Sequence, residues 1–112
     1  MPEYSFITLK SQRSIHRVSV EKIAYVNCDL SVCDVSLIDG ATYTVLKPLR
    51  YFETVLPDSV FVRINRNVII NINQILKIHP EGVRKRICEL PNGKVFPVSY
   101  RRWASLRRLI HI

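Results

Sequence analysis

Short runs in which apolar and polar residues alternate occupy most of the first half of the chain. Alternation with a period of two is the pattern of a half-buried β-strand, because successive side chains of a strand point to opposite faces. The pattern predicts five strands in this half, at residues 4–10, 15–18, 23–28, 32–38 and 41–45. Asp39-Gly40 is a turn dipeptide that favours a tight hairpin between the last two strands.

The second half continues the strand pattern around a polar knuckle. Residues 61–71 carry apolar, strand-like ends on both sides of a segment rich in arginine and asparagine. Turns at Pro80-Glu81-Gly82 and Pro91-Asn92-Gly93 separate the strands that follow. These further strands are predicted at residues 75–78, 83–90 and 94–98.

Two segments have helical spacing instead. Apolar residues recur on one helical face between Pro48, which suits a first turn, and Pro57, which ends the helix. Ser99 can cap a second helix over residues 100–109, whose apolar stripe would pack on the body of the protein. The patterns together predict a mainly β chain of about ten short strands with two short helices.

The composition is that of one folded domain. The chain has 112 residues, of which 47% are hydrophobic and 23% are charged. We therefore interpret residues 1–112 as a single domain with one core. No apolar run approaches the roughly 18 residues that cross a bilayer, and no leader opens the chain, so we expect a cytoplasmic protein without a membrane partner.

Residues for catalysis or metal binding are sparse. Cys28, Cys33 and Cys88 lack the spacing of a zinc ribbon, and we interpret them as buried free thiols. No nucleophile stands beside a base, and the three glycines form no phosphate-cradling loop. We expect neither an enzyme nor a small-molecule substrate, and no metal or cofactor.

The net positive charge is confined to the second half. Residues 1–56 carry six basic and six acidic side chains, whereas residues 57–112 carry eleven basic and three acidic ones, which accounts for the whole net charge of +8. A one-sided basic excess is typical of a phosphate-binding face, because neutralised phosphates release counterions. A basic surface that serves only solubility is the alternative.

The side chains of the knuckle suit nucleic acid. The planar fork of arginine fits phosphate and guanine, and asparagine offers a donor beside an acceptor, as adenine requires. Two arginines at the start of the second helix oppose the helix dipole, which favours an anion there. These candidates are Arg63, Asn65, Arg66, Asn67, Arg101 and Arg102.

Two other segments are candidates with an alternative explanation. Arg84 and Arg86 would share one face of their strand, although a sheet edge protected by positive charge would look the same. The loop at residues 29–31 could carry a polar contact through Asp29 or Ser31, or could simply connect two strands.

The motif Phe61-x-Arg63-x-x-Arg66-x-x-x-Ile70-Asn71, followed by a strand at Ile75 and the closing Pro97-Val98-Ser99-Tyr100-Arg101, resembles the LytTR-type DNA-binding domain of bacterial response regulators. The similarity covers nearly the whole chain, but the family usually has histidine at the position of Asn65 and serine at that of Asn67. The resemblance implies an all-β fold of about ten short strands in small stacked sheets, with a short central helix and a short C-terminal helix. The receiver domain that usually precedes such a domain has no counterpart in these residues.

The resemblance also implies a function. Domains of this type insert loops, not a recognition helix, into the major groove, so we expect sequence-specific binding of double-stranded DNA by a bacterial transcriptional regulator. A second copy would bind a neighbouring half-site. The residues expected to read bases are Asp29, Ser31, Asn65, Arg66 and Arg101. Weaker candidates, for phosphate contact or for the sheet surface, are Arg63, Asn67, Arg84, Arg86 and Arg102.

Two functions from other classes stay open: an RNA-binding β-module and a protein-interaction module. An RNA-binding module would be expected to present paired aromatic residues on one strand for base stacking. Phe61 and Phe96 are isolated within apolar strands and are predicted to belong to the core.

Overall fold

The computed structural model describes residues 6–112. Within them the chain forms short antiparallel strands and two short helices, as the alternating pattern predicts. The strands are β1 (Phe6–Ser11), β2 (Ser14–Ser19), β3 (Ile23–Asp29), β4 (Val32–Leu37), β5 (Thr42–Val45), β6 (Phe61–Asn65), β7 (Val68–Asn71), β8 (Lys77–Glu81), β9 (Lys85–Glu89) and β10 (Val95–Val98). The helices are α1 (Leu49–Val55) and α2 (Tyr100–Leu109). The all-β expectation is confirmed.

The strands form three stacked sheets. A five-stranded sheet, in the order β5-β4-β3-β7-β6, lies between the β1–β2 hairpin and the three-stranded sheet β10-β9-β8. Because adjacent residues of a strand point to opposite faces, Ile69 packs with α1 and the hairpin, whereas Ile70 packs with α2 and the three-stranded sheet. Two apolar cores therefore hold the middle sheet in place.

Several boundaries differ from the prediction. The first strand begins at Phe6 in the described residues, and residues 4 and 5 of the predicted strand lie outside them. Pro80 and Glu81 belong to β8 and are not part of a turn, because their partners are Arg86 and Lys85 of β9. The turn lies at residues 82–84, where Gly82 has φ +79°. Arg84 is therefore outside the strand that the sequence predicts for it.

Each outer strand of the three-stranded sheet contains a proline. Pro80 lies in β8 and Pro97 in β10, and both strands pair only with the central β9. Proline lacks a backbone N–H, so it is tolerated at such sheet edges. Since β9 is the central strand, protection of a sheet edge does not explain the position of Arg86.

The cysteines do not all match the prediction. Cys28 of β3 faces Cys33 of β4, with Cα atoms 4.0 Å apart, and a disulfide joins the two side chains. The expectation of three free thiols is therefore wrong for this pair. Cys88 is a free, buried thiol as expected, and burial raises its pKa from 9.0 to about 11.

The ends of the helical segments are set by single residues. Pro48 occupies the N-cap position of α1, one residue before the first helical turn in which the sequence predicts it. The Ser99 hydroxyl accepts the N–H of Arg102 and caps α2 as predicted. No helix in the described part of the chain is long and apolar enough to cross a membrane.

Candidate nucleic-acid interface

Two hairpin turns lie side by side at one end of the five-stranded sheet. The β3–β4 turn contains residues 29–32, and the β6–β7 turn contains residues 65–68. Since β3 pairs with β7, these turns are neighbours, and the N–H of Cys28 donates to the carbonyl of Asn67 over 2.8 Å. The loop and the knuckle that the sequence singles out are thus adjacent in space.

The start of α2 joins the same end of the molecule. The N–H of Ser99 donates to the carbonyl of Ile64 over 2.8 Å, and the Asn65 side chain donates to the carbonyl of Pro97 over 2.7 Å. These two bonds fix the β10–α2 junction beside the β6–β7 turn. Arg101, in the first turn of α2, is exposed there. Three segments that are remote in sequence therefore form one row.

Arg63 braces the β6–β7 turn from below. Its Nε donates to the carbonyl of Asn65 over 3.2 Å, and its Nη2 donates to the carbonyl of Arg66 over 2.6 Å. Its Nη1 pairs with Glu53 of α1 at 3.0 Å. One guanidinium therefore fixes two turn carbonyls and ties them to the helix, which uses three of its five N–H donors inside the protein.

The Asn65 side chain is also used inside the protein. Its Oδ1 accepts the N–H of Asn67 over 2.8 Å, while its Nδ2 donates to Pro97. The first contact closes a local turn, and the second joins two sheets. Arg66 and Asn67 are exposed instead, and within residues 6–112 their side chains have no hydrogen-bond partner. Their donors and acceptors face solvent.

The β3–β4 turn has a different structure. Asp29 and Val32 are paired, so only Leu30 and Ser31 form the tip. Asp29, Leu30 and Ser31 are all exposed, and Leu30 has φ +58° with 92% of its surface exposed. The sequence prediction passed over Leu30 because it considered only polar side chains. The signal was present, since an apolar residue at the tip of a turn has no core to join.

Two further arginines lie against aromatic rings of α2. The guanidinium of Arg84 lies 5.0 Å from the ring centroid of Tyr100, and that of Arg86 lies 4.2 Å from the ring centroid of Trp103. Both guanidinium groups therefore lie against α2, although Arg84 belongs to the turn before β9 and only Arg86 lies in the strand predicted for both. Cation–π contacts of this kind hold the guanidinium groups against the aromatic rings and attach the start of α2 to the three-stranded sheet.

Arg102 and Asn71 complete the set of polar residues. Arg102 is half-buried, and its backbone N–H, not its side chain, makes the capping bond with Ser99. Asn71 is 1% exposed, and its side chain donates to the carbonyl of Ile23 and accepts the N–H of Asn73. The asparagine that ends the sequence motif is therefore a structural residue.

Side chains that often bind metal ions are not clustered in the described part of the chain. Within residues 6–112 no group of three or more histidine, cysteine, aspartate or glutamate side chains is arranged to hold an ion. Cys88 is buried in the core with a raised pKa, which makes its thiolate scarce at neutral pH.

Known proteins resemble this chain along most of its length. The sequence profile of the family described as the LytTr DNA-binding domain matches residues 13–111. The sensory transduction protein LytT of Bacillus subtilis is 30% identical over 106 residues, which is 95% of this chain and 44% of that protein. The sensory transduction protein LytR of Streptococcus mutans is 33% identical over 59 residues, covering 53% of this chain and 24% of that protein. The chain thus spans less than half the length of these relatives.

A solved structure has the same architecture. It is the LytTr DNA-binding domain of a methyl-accepting/DNA response regulator from Bacillus cereus. The two structures superpose with a TM-score of 0.83 and 29% sequence identity, covering 96% of this chain and 98% of the other. The profile match, the relatives and the shared fold show that this chain belongs to the LytTR family of DNA-binding domains.

Proposed function

We propose that this chain binds double-stranded DNA sequence-specifically through the row formed by the β3–β4 turn, the β6–β7 turn and the start of α2, and that it serves transcriptional regulation. The observation that carries the proposal is the convergence of exposed Arg66, Asn67 and Arg101 on turns whose backbones are fixed by internal hydrogen bonds. A rigid backbone is suited to the reading of base edges, because only the side chains, and not the turns that carry them, lose freedom on binding.

Hairpin turns have the right size to enter a groove. Neighbouring strands are about 4.8 Å apart, so one hairpin turn with its side chains fits a major groove about 12 Å wide. Asp29 and Ser31 would accompany Arg66 and Arg101 as base contacts. Asp29 can accept from the amino group of cytosine, and Ser31 can donate or accept.

The internal contacts divide the arginines and asparagines into two groups. Arg63 and Asn65 hold the β6–β7 turn in shape, and they act on DNA through Arg66 and Asn67. Arg102, Arg84 and Arg86 flank the row and are suited to phosphate oxygens, which carry no sequence information. A second copy of the chain would bind an adjacent half-site on the same duplex.

An RNA-binding module is less well supported. Phe61 and Phe96 are each 5% exposed, and Phe96 packs edge-on against Tyr25 with ring centroids 4.8 Å apart. They belong to the core, as the sequence predicts, and do not offer a platform for stacked bases.

Fluorescence-anisotropy titration would test the proposal. The protein is titrated against a pool of duplex DNA and against single-stranded RNA at two salt concentrations, and binding sites are then selected from the duplex pool. We expect salt-sensitive duplex binding and enrichment of a sequence repeated about one helical turn apart. Equal, weak binding to both ligands would reject the proposal and favour a protein-interaction module.

Alanine variants then test the assignment of the row. Replacement of Arg66 or Arg101 should cost about 1–3 kcal/mol of binding free energy and relax the preference at one base pair. Arg108→Ala removes the same charge from the exposed C-terminal end of α2 and is the matched control. It should weaken binding slightly and equally for all sequences. An Arg108 effect as large as the others would mean that the charge alone governs binding.

A further inference from the structure

The side chain of Leu30 lies in water at the tip of the β3–β4 turn. It is 92% exposed and belongs to neither of the two apolar cores. Its sequence neighbours Asp29 and Ser31 are exposed and polar. A large apolar side chain contributes to folding by leaving water, and here it remains in water. Packing within residues 6–112 therefore gives no reason for leucine at this position.

The backbone at Leu30 also disfavours leucine. Its φ of +58° is in the left-handed region, which costs most residues about 1 kcal/mol and is normally occupied by glycine or asparagine. Gln12 adopts φ +56° at the equivalent position of the two-residue β1–β2 turn, and its polar side chain faces solvent there. The same conformation therefore accommodates a polar residue. A leucine at position 30 therefore stabilises the fold neither by burial of its side chain nor by a favourable backbone conformation.

The neighbours of the turn indicate what Leu30 contacts. Leu30 lies in the same row of segments as Arg66, Asn67 and Arg101. This row is the surface proposed above to enter the grooves of DNA. The edges of bases in the major groove carry hydrogen-bonding groups and a single apolar group, the 5-methyl of thymine. We propose that Leu30 packs on the 5-methyl group of a thymine and so selects an A·T pair in a defined orientation.

This inference rests on the proposed function, and it adds a residue and a type of contact to it. The polar groups of the row distinguish bases by hydrogen bonds, whereas Leu30 distinguishes thymine from cytosine by shape. The tip is held at a fixed height because Asp29 and Val32 are paired below it. A contact with one methyl group needs such a fixed position, because dispersion contacts fall off steeply with distance.

Deoxyuridine substitution tests the contact, because it removes only the 5-methyl group. After a binding site has been selected, each thymine is replaced singly by deoxyuridine, and the Kd of the full chain is measured by anisotropy. We expect one thymine in each half-site at which the substitution weakens binding about fourfold, as the loss of one buried methyl predicts. Thymines elsewhere in the site should tolerate the change.

Leu30→Asn completes the test. Asparagine is compatible with the left-handed backbone and removes the apolar group, so the variant should fold and bind thymine and deoxyuridine duplexes equally. Ile38→Ala is the matched control: Ile38 is an exposed aliphatic residue, 50% accessible, just after β4 at the opposite end of that strand from Leu30. This variant should keep the full fourfold sensitivity to the methyl group.

Each contrary outcome has a distinct meaning. Specific duplex binding with no sensitivity to deoxyuridine would overturn the inference and leave the proposed function intact. A sensitivity that persists in Leu30→Asn would also overturn it, since another group would then contact the methyl. Loss of specific duplex binding by the parent protein would reject the proposed function, and this inference with it. Leu30 would then be better explained as a protein contact.

Discussion

The β3–β4 and β6–β7 turns lie side by side, yet they are held in different ways. The β6–β7 turn is fixed by side chains: Arg63 binds two of its carbonyls, and Asn65 joins it to β10. The β3–β4 turn is fixed by its strands, with the Cys28–Cys33 pair at its base and a two-residue tip. The β6–β7 turn presents hydrogen-bonding groups, and the β3–β4 turn presents a leucine between two polar residues.

The polar side chains at the two turns are used differently. At the β6–β7 turn the side chains of Arg63 and Asn65 hold the turn together, whereas those of Arg66 and Asn67 are exposed. In the β3–β4 turn the polar side chains are exposed and a backbone pairing provides the rigidity. Substitutions of polar residues at the β6–β7 turn should therefore lower the free energy of unfolding, whereas those at the β3–β4 turn should have little effect on it.

Arg63→Ala should have the largest effect. It removes three contacts of a side chain that is 22% exposed and leaves two turn carbonyls without their donor. We expect a loss of about 2–3 kcal/mol in the free energy of unfolding, measured by urea titration, and faster amide exchange in the β6–β7 turn alone. Glu53→Gln, which removes only the charge of the exposed partner, should cost about 0.5 kcal/mol. An equal increase of amide exchange in both turns would contradict the role of Arg63 as a brace of the β6–β7 turn.

The sulfur atoms beneath the two turns should respond differently to pH. Cys88 packs with Ile64 and Val68 under the β6–β7 turn, and burial raises the pKa of its thiol from 9.0 to about 11. The unfolded chain loses this proton first, so the stabilisation is complete below pH 9 and is lost as the pH rises towards about 11, with a magnitude of about 2 kcal/mol. The disulfide-bonded Cys28 and Cys33 do not titrate.

Cys88→Ala isolates this contribution. The variant keeps every other titrating group, so the difference between its unfolding free energy and that of the parent should shrink across this pH range. Urea titrations at several pH values would measure it. A constant difference between the two proteins would show that the folded thiol titrates normally.

Asn65→Asp should give a smaller effect. The replacement keeps the oxygen that accepts the N–H of Asn67, but it sets a carboxylate oxygen against the carbonyl of Pro97 where a donor stood. We expect a loss of about 1 kcal/mol and detachment of the turn from β10, visible as NMR shift changes at Val98 and Ser99. Asp29→Asn in the other turn is the matched change and should leave the stability unaltered. Equal effects of the two changes would remove the distinction between the turns.

Leu30→Asn should have the smallest effect, in the opposite direction. Asparagine tolerates a positive φ better than leucine and is well solvated, so the variant should be more stable by about 0.5 kcal/mol. Thermal unfolding would show a small rise in Tm. A destabilised variant would mean that the leucine packs against the protein in solution.

The fold could be predicted largely from local patterns. Alternation located the strands, Asp39-Gly40 located a hairpin, and Ser99 located the start of α2, because each signal acts within a few residues. Strand ends were less predictable: β8 continues through Pro80 because an edge position tolerates proline, which depends on where the strand lies in its sheet.

The candidate site was only partly predictable. Its segments could be identified from residue type. The hydrogen bond from the Asn65 side chain to the carbonyl of Pro97, 32 residues away, could not, because it depends on how two sheets meet. The Cys28–Cys33 pair had a readable signal, because a two-residue turn at 30–31 places residues five apart opposite each other. Which residues of the row bind DNA stays a prediction.

The prolines in β8 and β10 also bear on how the protein behaves when many copies are crowded together. An open strand edge offers a row of unpaired backbone groups on which another chain can add, and this is a route to aggregation. Pro80 interrupts that row on one side, and on the other Pro97 lacks the N–H while its carbonyl is already bound by Asn65. If two copies bind neighbouring half-sites, as proposed above, we therefore expect that they do not join through the edges of this sheet.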